Sequence, residues 1–170
     1  MDDQFFMKKA LSQAEDALSR GDFPVGAVVV GEGRILSSGF RTSTIKGCAN
    51  EVDHAEINAL RNLKLSLGET PETMYPKDLT IYATMEPCLM CFAACILSGI
   101  KRVVYAFEDV MGGGTGVHLS ELPMLYSKSG IIVVPHVMRE ASLALFKRFF
   151  SSPLNTYWKD SILAEYVLSQ

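Results

Sequence analysis

A layered α/β fold is what the sequence predicts, and three observations lead to it. β-Branched runs alternate with segments of helical apolar spacing, 48% of the 170 residues are hydrophobic, and no internal repeat or low-complexity tract breaks the pattern. Sheets and helices that alternate in this way bury one another's apolar faces, and a chain of this length carries enough apolar surface for a substantial core. A single domain is expected, with its body over 1–152 and a C-terminal helical extension over 153–170.

From the N-terminus, Asp2 and Asp3 precede Met7, Ala10, Leu11, Ala14, Ala17 and Leu18, a helical stripe closed by Gly21. Val25 to Val30 is a continuous apolar run rich in β-branched valine. Gly31 to Gly33 supplies a turn into a second extended run from Ile35 to Phe40, so the pair reads as a hairpin. Polar residues then lead to Asp53, which suits the N-cap of a helix from about His54 to Leu63. Gly68, Pro71 and Pro76 mark 66–78 as a loop, and Leu79 to Ala83 is a third strand. Pro87 fits a helix start, and that helix is apolar from Phe92 to Leu97 and ends at Gly99. Arg102 to Ala106 is a fourth strand, Gly112 to Gly116 a loop, Leu119 to Tyr126 a short helix and Ile131 to Val134 a fifth strand. Leu143, Phe146 and Phe150 give 140–150 a helical face for the sheet. The last helix is expected over 157–168, with Trp158, Ile162 and Tyr166 on one side.

Two short stretches carry the chemistry. His54-Ala55-Glu56 heads one helix, and Pro87-Cys88-Leu89-Met90-Cys91 heads another, 34 positions on. Residues two apart in mid-helix point about 200° away from each other. In a first turn the side chains lean back past the helix end, so His54 and Glu56 can both reach a metal in front of it. Cys88 and Cys91, at i and i+3, share one face. One histidine and two thiolates make three zinc ligands with an open fourth position, a catalytic arrangement. Zinc lowers the pKa of a bound water from about 15.7 to about 7, and Glu56, beside the metal without ligating it, can move protons as general acid and base.

Other readings of the same residues stay open. A C-x-x-C pair alone is compatible with redox chemistry, which the upstream H-x-E and Pro87 disfavour. A closed structural zinc site would recruit Cys48 or Cys95 as a fourth ligand. Cys95 lies one turn deeper, about 6 Å from Cys91 along the helix, and reads as a buried core thiol. Cys48 is six residues before His54 and able to approach it. His118 and His136 lack a partner pattern, and the glycines at 112–114 lack the Lys and Ser/Thr of a phosphate-binding loop. The formal net charge of −3 gives no global basic footprint for a polyanion. No apolar run approaches the roughly 20 residues that span a bilayer, and three cysteines crowded into 88–95 suit a reducing compartment, so a cytoplasmic protein with no membrane partner is expected.

The stretch from Phe23 through Pro24, Val25 and Gly26 to Val30, the His54-Ala55-Glu56 triplet and the segment Thr84 to Cys91 together resemble the cytidine and deoxycytidylate deaminase superfamily, whose zinc enzymes carry an H-x-E and P-C-x-x-C signature. Within it the nearest likeness is to bacterial tRNA-specific adenosine deaminases and to guanine deaminase. The resemblance implies a three-layer α/β/α fold with a five-stranded mixed sheet and one Zn2+ per chain, held by His54, Cys88 and Cys91. It implies attack by zinc-bound hydroxide with Glu56 as proton shuttle, and a base pocket shaped by the backbone around Ala55 and by Glu86 and Pro87; Phe23 and Arg41 are further candidates for substrate contact. It also implies a homodimer, a nucleobase, nucleoside or nucleotide substrate, and tRNA as the nearest partner. The alternatives are a deaminase of free guanine, cytosine or a deoxynucleotide, and a non-catalytic structural-zinc module. Arg41 stands where the family usually has Asn, and it suits a phosphate, a base carbonyl or a surface carboxylate. The tail with Trp158 and Tyr166 suits either a cover for the site or simple packing.

Overall fold

Asp2 starts the first helix: its carboxylate accepts the Phe5 amide at 3.1 Å, satisfying a donor that the helix itself cannot. In this computed structural model, residues 2–44, 50–68 and 76–170 are described. The elements are α1 (Asp3–Ser19), β1 (Gly26–Gly31), β2 (Arg34–Phe40), α2 (Ala55–Leu67), β3 (Leu79–Met85), α3 (Leu89–Leu97), β4 (Ile100–Phe107), α4 (Met124–Ser127), β5 (Ile132–Val134), α5 (Arg139–Phe150) and α6 (Ile162–Ser169). Cys48 and most of the expected 66–78 loop lie outside the described residues.

The strands form one mixed sheet in the order β2-β1-β3-β4-β5. β1 is antiparallel to both β2 and β3, whereas β3–β4 and β4–β5 are parallel, as strands joined through α3 and through the long 108–131 connection must be. β1 and β3 are buried along their whole length, which explains why β1 reads as a continuous apolar run and β3 as one interrupted only by the buried Thr80 and Thr84. The strand period of two sorts their side chains. Val28, Val30, Tyr82, Val104 and Ala106 pack with Phe6, Met7 and Ala10 of α1. Ala27, Val29, Ile81, Ala83 and Val103 join the larger core with Ala59 and Leu63 of α2 and Phe92 and Cys95 of α3. Helix α2 sits directly on β2 at Gly39, where a Cβ would collide with the Ala59 amide and the Ala55 carbonyl. Only glycine permits that approach.

Register places the ends of four strands side by side. Gly26 pairs with Phe40, Ala27 with Ala83, and Met85 with Phe107. The residues just before β1 and just after β2, β3 and β4 therefore meet at one edge, outside the carboxyl ends of the parallel strands, where open α/β sheets place ligands. Helix α5 closes this end from behind: Phe146, fully buried, lies 5.2 Å from Phe23 and 5.4 Å from Phe107, centroid to centroid.

Three expectations need correction. The 119–126 helix is two short pieces, a 3-10 turn at Leu119–Glu121 and α4, because Pro123 lacks the amide that would continue the turn. The cap of α2 is His54, one residue later than Asp53, whose carboxylate is engaged by Arg61 at 2.6 Å and Asn50 at 2.7 Å. The last helix begins at Ile162, capped by the Ser161 hydroxyl on the Ala164 amide, and buries Leu163, Ala164 and Val167 while Ile162 is exposed. Trp158 lies outside that helix with φ of 49°. Among the described residues no helix is long and apolar enough to cross a membrane.

Candidate active site

His54 and Cys88 are both helix N-caps, with extended backbones and no side-chain capping bond. A side chain at that position is free to project in front of the helix end instead of folding onto it. Cys91, in the first turn of α3, is fully buried. The His54 Nδ1 lies 3.6 Å from Cys88 Sγ and 3.5 Å from Cys91 Sγ, and the three donor atoms all fall within 4.8 Å of one another. Tetrahedral zinc with bonds of about 2.1 Å to nitrogen and 2.3 Å to sulfur requires nitrogen and sulfur about 3.6 Å apart, so the donors fit the ion in spacing as well as in type. Among the described residues, these three are the group able to hold a metal ion; Cys95, fully buried in the core, is not part of it.

The electrostatics suit a cation. The hydrogen bond with Cys91 holds the Cys88 thiol down to about 4, against the pull of burial and with help from His54. The Cys91 thiol is pushed up by that same bond and by burial. Burial works to lower His54, but Cys88 and Glu56 raise it overall. Glu56, only 3% exposed on the first turn of α2, is raised by burial, with His54 pulling the other way. A carboxyl raised in this way holds its proton more readily than an ordinary glutamate, which suits a group that must both accept and return protons.

His54, Glu56 and Cys88 stand in the wall of a cavity at the sheet edge, while Cys91 is fully buried outside that wall. Phe23 and Val25 enter it from before β1, Arg41 from after β2, His54, Ala55 and Glu56 from α2, and Met85, Glu86 and Cys88 from the β3–α3 junction. Asp109, Gly112, Tyr157 and Trp158 complete it. Burial raises the Asp109 carboxyl, and amide donors from Met111 and Gly112 oppose that rise. Glu86 binds the amides of Asp109 and Thr115 and the Thr115 hydroxyl, which folds the 109–115 loop against α3. Pro87 is buried outside this wall; its carbonyl accepts the Gly114 amide at 2.9 Å. Tyr157 and Trp158 stack at 4.8 Å and 14°, and both rings face Phe23, at 5.6 and 6.0 Å.

Arg41 is 2% exposed, not solvated. Its amide donates to Val25, and its Nη2 pairs with Glu51 at 2.7 Å and reaches the Tyr157 hydroxyl at 3.4 Å. The Tyr157 hydroxyl also donates to Glu51 at 2.9 Å. His136, which carried no partner pattern in the sequence, lies 3.4 Å from Glu108. Sequence reasoning missed Asp109 and Tyr157 as wall residues and placed Trp158 on a helix. Their approach depends on the 108–131 connection and on the turn after α5, and neither has a periodic signal.

Residues 1–107 match the family described as cytidine and deoxycytidylate deaminase zinc-binding region. The chain is 30% identical to the tRNA-specific adenosine deaminase of Bacillus subtilis, over 87% of this chain and 88% of that one. It is 35% identical to the tRNA-specific adenosine deaminase of Agrobacterium fabrum, over 85% and 91%. A solved structure from a study of A-to-I editing by tRNA:A34 deaminases superposes with a TM-score of 0.68 at 30% identity, covering 83% of this chain and 98% of that one. A guanine deaminase from Nitrosomonas europaea shares the fold alone, with a TM-score of 0.69 at 22% identity over 86% and 83%.

Proposed function

Since this chain belongs to the cytidine and deoxycytidylate deaminase family of zinc-dependent hydrolytic deaminases, we propose that His54, Cys88 and Cys91 hold the zinc and that Glu56 moves the protons. The observation that carries this reading is the placement of Glu56: buried, on the cavity wall, one residue after the Ala55 that follows His54, and outside the metal-holding group. A bound zinc supplies Lewis acidity and a more acidic water. The carboxyl of Glu56 then takes a proton from the attacking water and returns protons to the ring nitrogen and the departing amine. Water replaces the amine, the base gains an oxo group, and ammonia leaves. Phe23, Arg41, Ala55 and Glu86 bound the base, and Pro87 acts behind them by holding the loop at Gly114.

For the substrate, the named relatives support adenosine in tRNA. A free amino base is the second reading, favoured by the Tyr157–Trp158 pair stacked in the cavity wall. We assign 1–152 as the deaminase domain and 153–170 as its extension. A homodimer is supported by exposed Leu89 and Met90 beside exposed Val110 and Met111, which the Cys88–Gly113 bridge brings together. A cytoplasmic location agrees with the reduced thiols the site requires. The test is ammonia release by the zinc-loaded protein on an anticodon stem-loop RNA and on free bases and nucleosides, with Glu56→Gln as control. Release that survives this substitution sinks the assignment of Glu56, and silence on every compound with zinc bound sinks the reaction.

A further inference from the structure

Glu108 and Asp109 are neighbours in the chain with separate attachments. Asp109 lines the cavity; its Oδ1 accepts the amides of Met111 and Gly112, both at 2.9 Å, and its carbonyl accepts the Gly113 amide at 3.0 Å. Glu108 is held from elsewhere. Its carboxylate accepts the Tyr166 hydroxyl of α6 at 2.6 Å and the Nε of Arg139, the first residue of α5, at 2.9 Å. The Arg139 guanidinium lies 5.0 Å over the Phe107 ring at the end of β4, and the Tyr166 ring lies 6.0 Å from that same ring. Among the described residues, α6 contributes none to the cavity wall. One backbone step thus separates the polar anchor of this helix from the wall it does not reach.

Docking alone does not account for the clamp. Helix α6 already buries Leu163, Ala164 and Val167, each at most 1% exposed, and apolar burial of that kind is non-directional. A charge-assisted hydrogen bond fixes distance and angle. A network that gathers a tyrosine, an arginine and a carboxylate at one point specifies position as well as adding stability, and the point it fixes is where β4 ends and the cavity wall begins. We propose that Tyr166 is a positioning residue: by holding Glu108 it fixes the adjoining Asp109 and the turn to Gly113, so that α6 shapes one wall of the cavity without entering it. The effect on substrate rests on the deaminase reading of the cavity; the placement of the turn does not.

The test is Tyr166→Phe in the zinc-loaded full chain, which deletes the hydroxyl and leaves the ring on Phe107 and the apolar face of α6 in place. Amide hydrogen exchange is read residue by residue. The amides of Met111, Gly112 and Gly113 are expected to accelerate by about 10-fold or more beyond those of β1 and β3, which report global stability, because local opening of the turn becomes easier. Glu108→Gln, which weakens the clamp from its other end, should give the same pattern. Acceleration confined to 162–169 would mean that the hydroxyl only docks the helix, and acceleration of equal size in β1 and β3 would mean a general loss of stability; either overturns the proposal, as do unchanged rates throughout. Kinetics give a second readout. On a substrate that releases ammonia, Tyr166→Phe should raise KM by about 5-fold or more with kcat within about 2-fold, since Asp109 is neither a metal donor nor the proton-moving Glu56 and a displaced wall weakens binding. A fall in kcat at unchanged KM overturns the positioning role. Absence of ammonia release by the unsubstituted protein on every compound removes the reaction, and the exchange rates alone then decide the role of Tyr166.

Discussion

Gly114 lies so close to Leu89 that a Cβ on the glycine would collide with the first amide of helix α3. The 109–115 loop thus presses on the turn that carries Cys88 and Cys91, pinned there by Glu86 and by the carbonyl of Pro87. Gly114→Ala is expected to push the loop and the helix start apart, destabilising the fold by about 1–3 kcal/mol, as overpacking does, and lowering zinc retention. Zinc per chain after dialysis against a weak chelator, together with thermal unfolding, checks this; an alanine variant with full zinc and an unchanged midpoint would show that the contact is slack.

Removing a donor should separate an open metal site from a closed one. His54→Ala and Cys91→Ser are each expected to lose the ion, because three donors are the fewest that hold zinc firmly with a position left open. Cys95→Ser should keep the full zinc content. Atomic absorption on the purified variants decides, and loss of zinc from Cys95→Ser would place that thiol in the site.

Glu56→Gln keeps nearly the same volume and removes the carboxylate. Zinc content and fold should survive, while kcat falls by about 100- to 10,000-fold, the range general acid–base catalysis supplies. Matched zinc analysis and steady-state kinetics on any active substrate measure both quantities.

The pH dependence follows from Glu108. Burial would raise its carboxyl, but hydrogen bonds from Arg139, at 2.9 Å from Nε to Oε2, and from the Tyr166 hydroxyl, at 2.6 Å, overrule it and hold the group at about 2. A carboxyl lowered on folding stabilises the folded state above its unfolded value, about 4.5, and that stabilisation fades as pH falls from there toward 2. Glu108→Gln should therefore lower stability by about 1 kcal/mol at pH 6, a modest figure because the cluster is partly solvated, and the gap from the parent should close near pH 2. Denaturation series at several pH values test it; a gap that does not vary with pH would assign the effect to packing.

Phe146→Ala empties the space between Phe23 and Phe107 and should destabilise by about 3–5 kcal/mol. Denaturant titration gives the figure, and a loss under 1 kcal/mol would mean that the neighbouring rings collapse to fill the gap.

The strands and the two metal-bearing helices were legible in the sequence because β1 and β3 are rich in apolar and β-branched residues and because histidine, glutamate and cysteine spacings survive translation into helix ends. Asp53 misled by one residue: its side chain suits a cap, but Arg61, eight positions on, engages the same carboxylate, and His54 stands at the boundary. Trp158 misled because its spacing to Ile162 and Tyr166 continues a helical stripe across Asp160 and Ser161, where the chain actually starts afresh with a new cap. Arg41 could not be placed at all from composition, since its burial depends on partners 10 and 116 positions away, Glu51 and Tyr157. Long-range pairings of that kind leave no periodic trace.

Both metal-bearing segments donate from the very beginning of a helix, and this makes the site indifferent to helix length. Lengthening or trimming α2 or α3 at its far end adds or removes turns about 1.5 Å per residue away from the donors, and the geometry in front of His54 and Cys88 stays as it was. An insertion of one residue between Cys88 and Cys91 has the opposite effect, rotating one thiol by about 100° away from the other. The far ends of both helices can thus change in length without disturbing the metal donors, whereas the spacing within the first turn of α3 cannot.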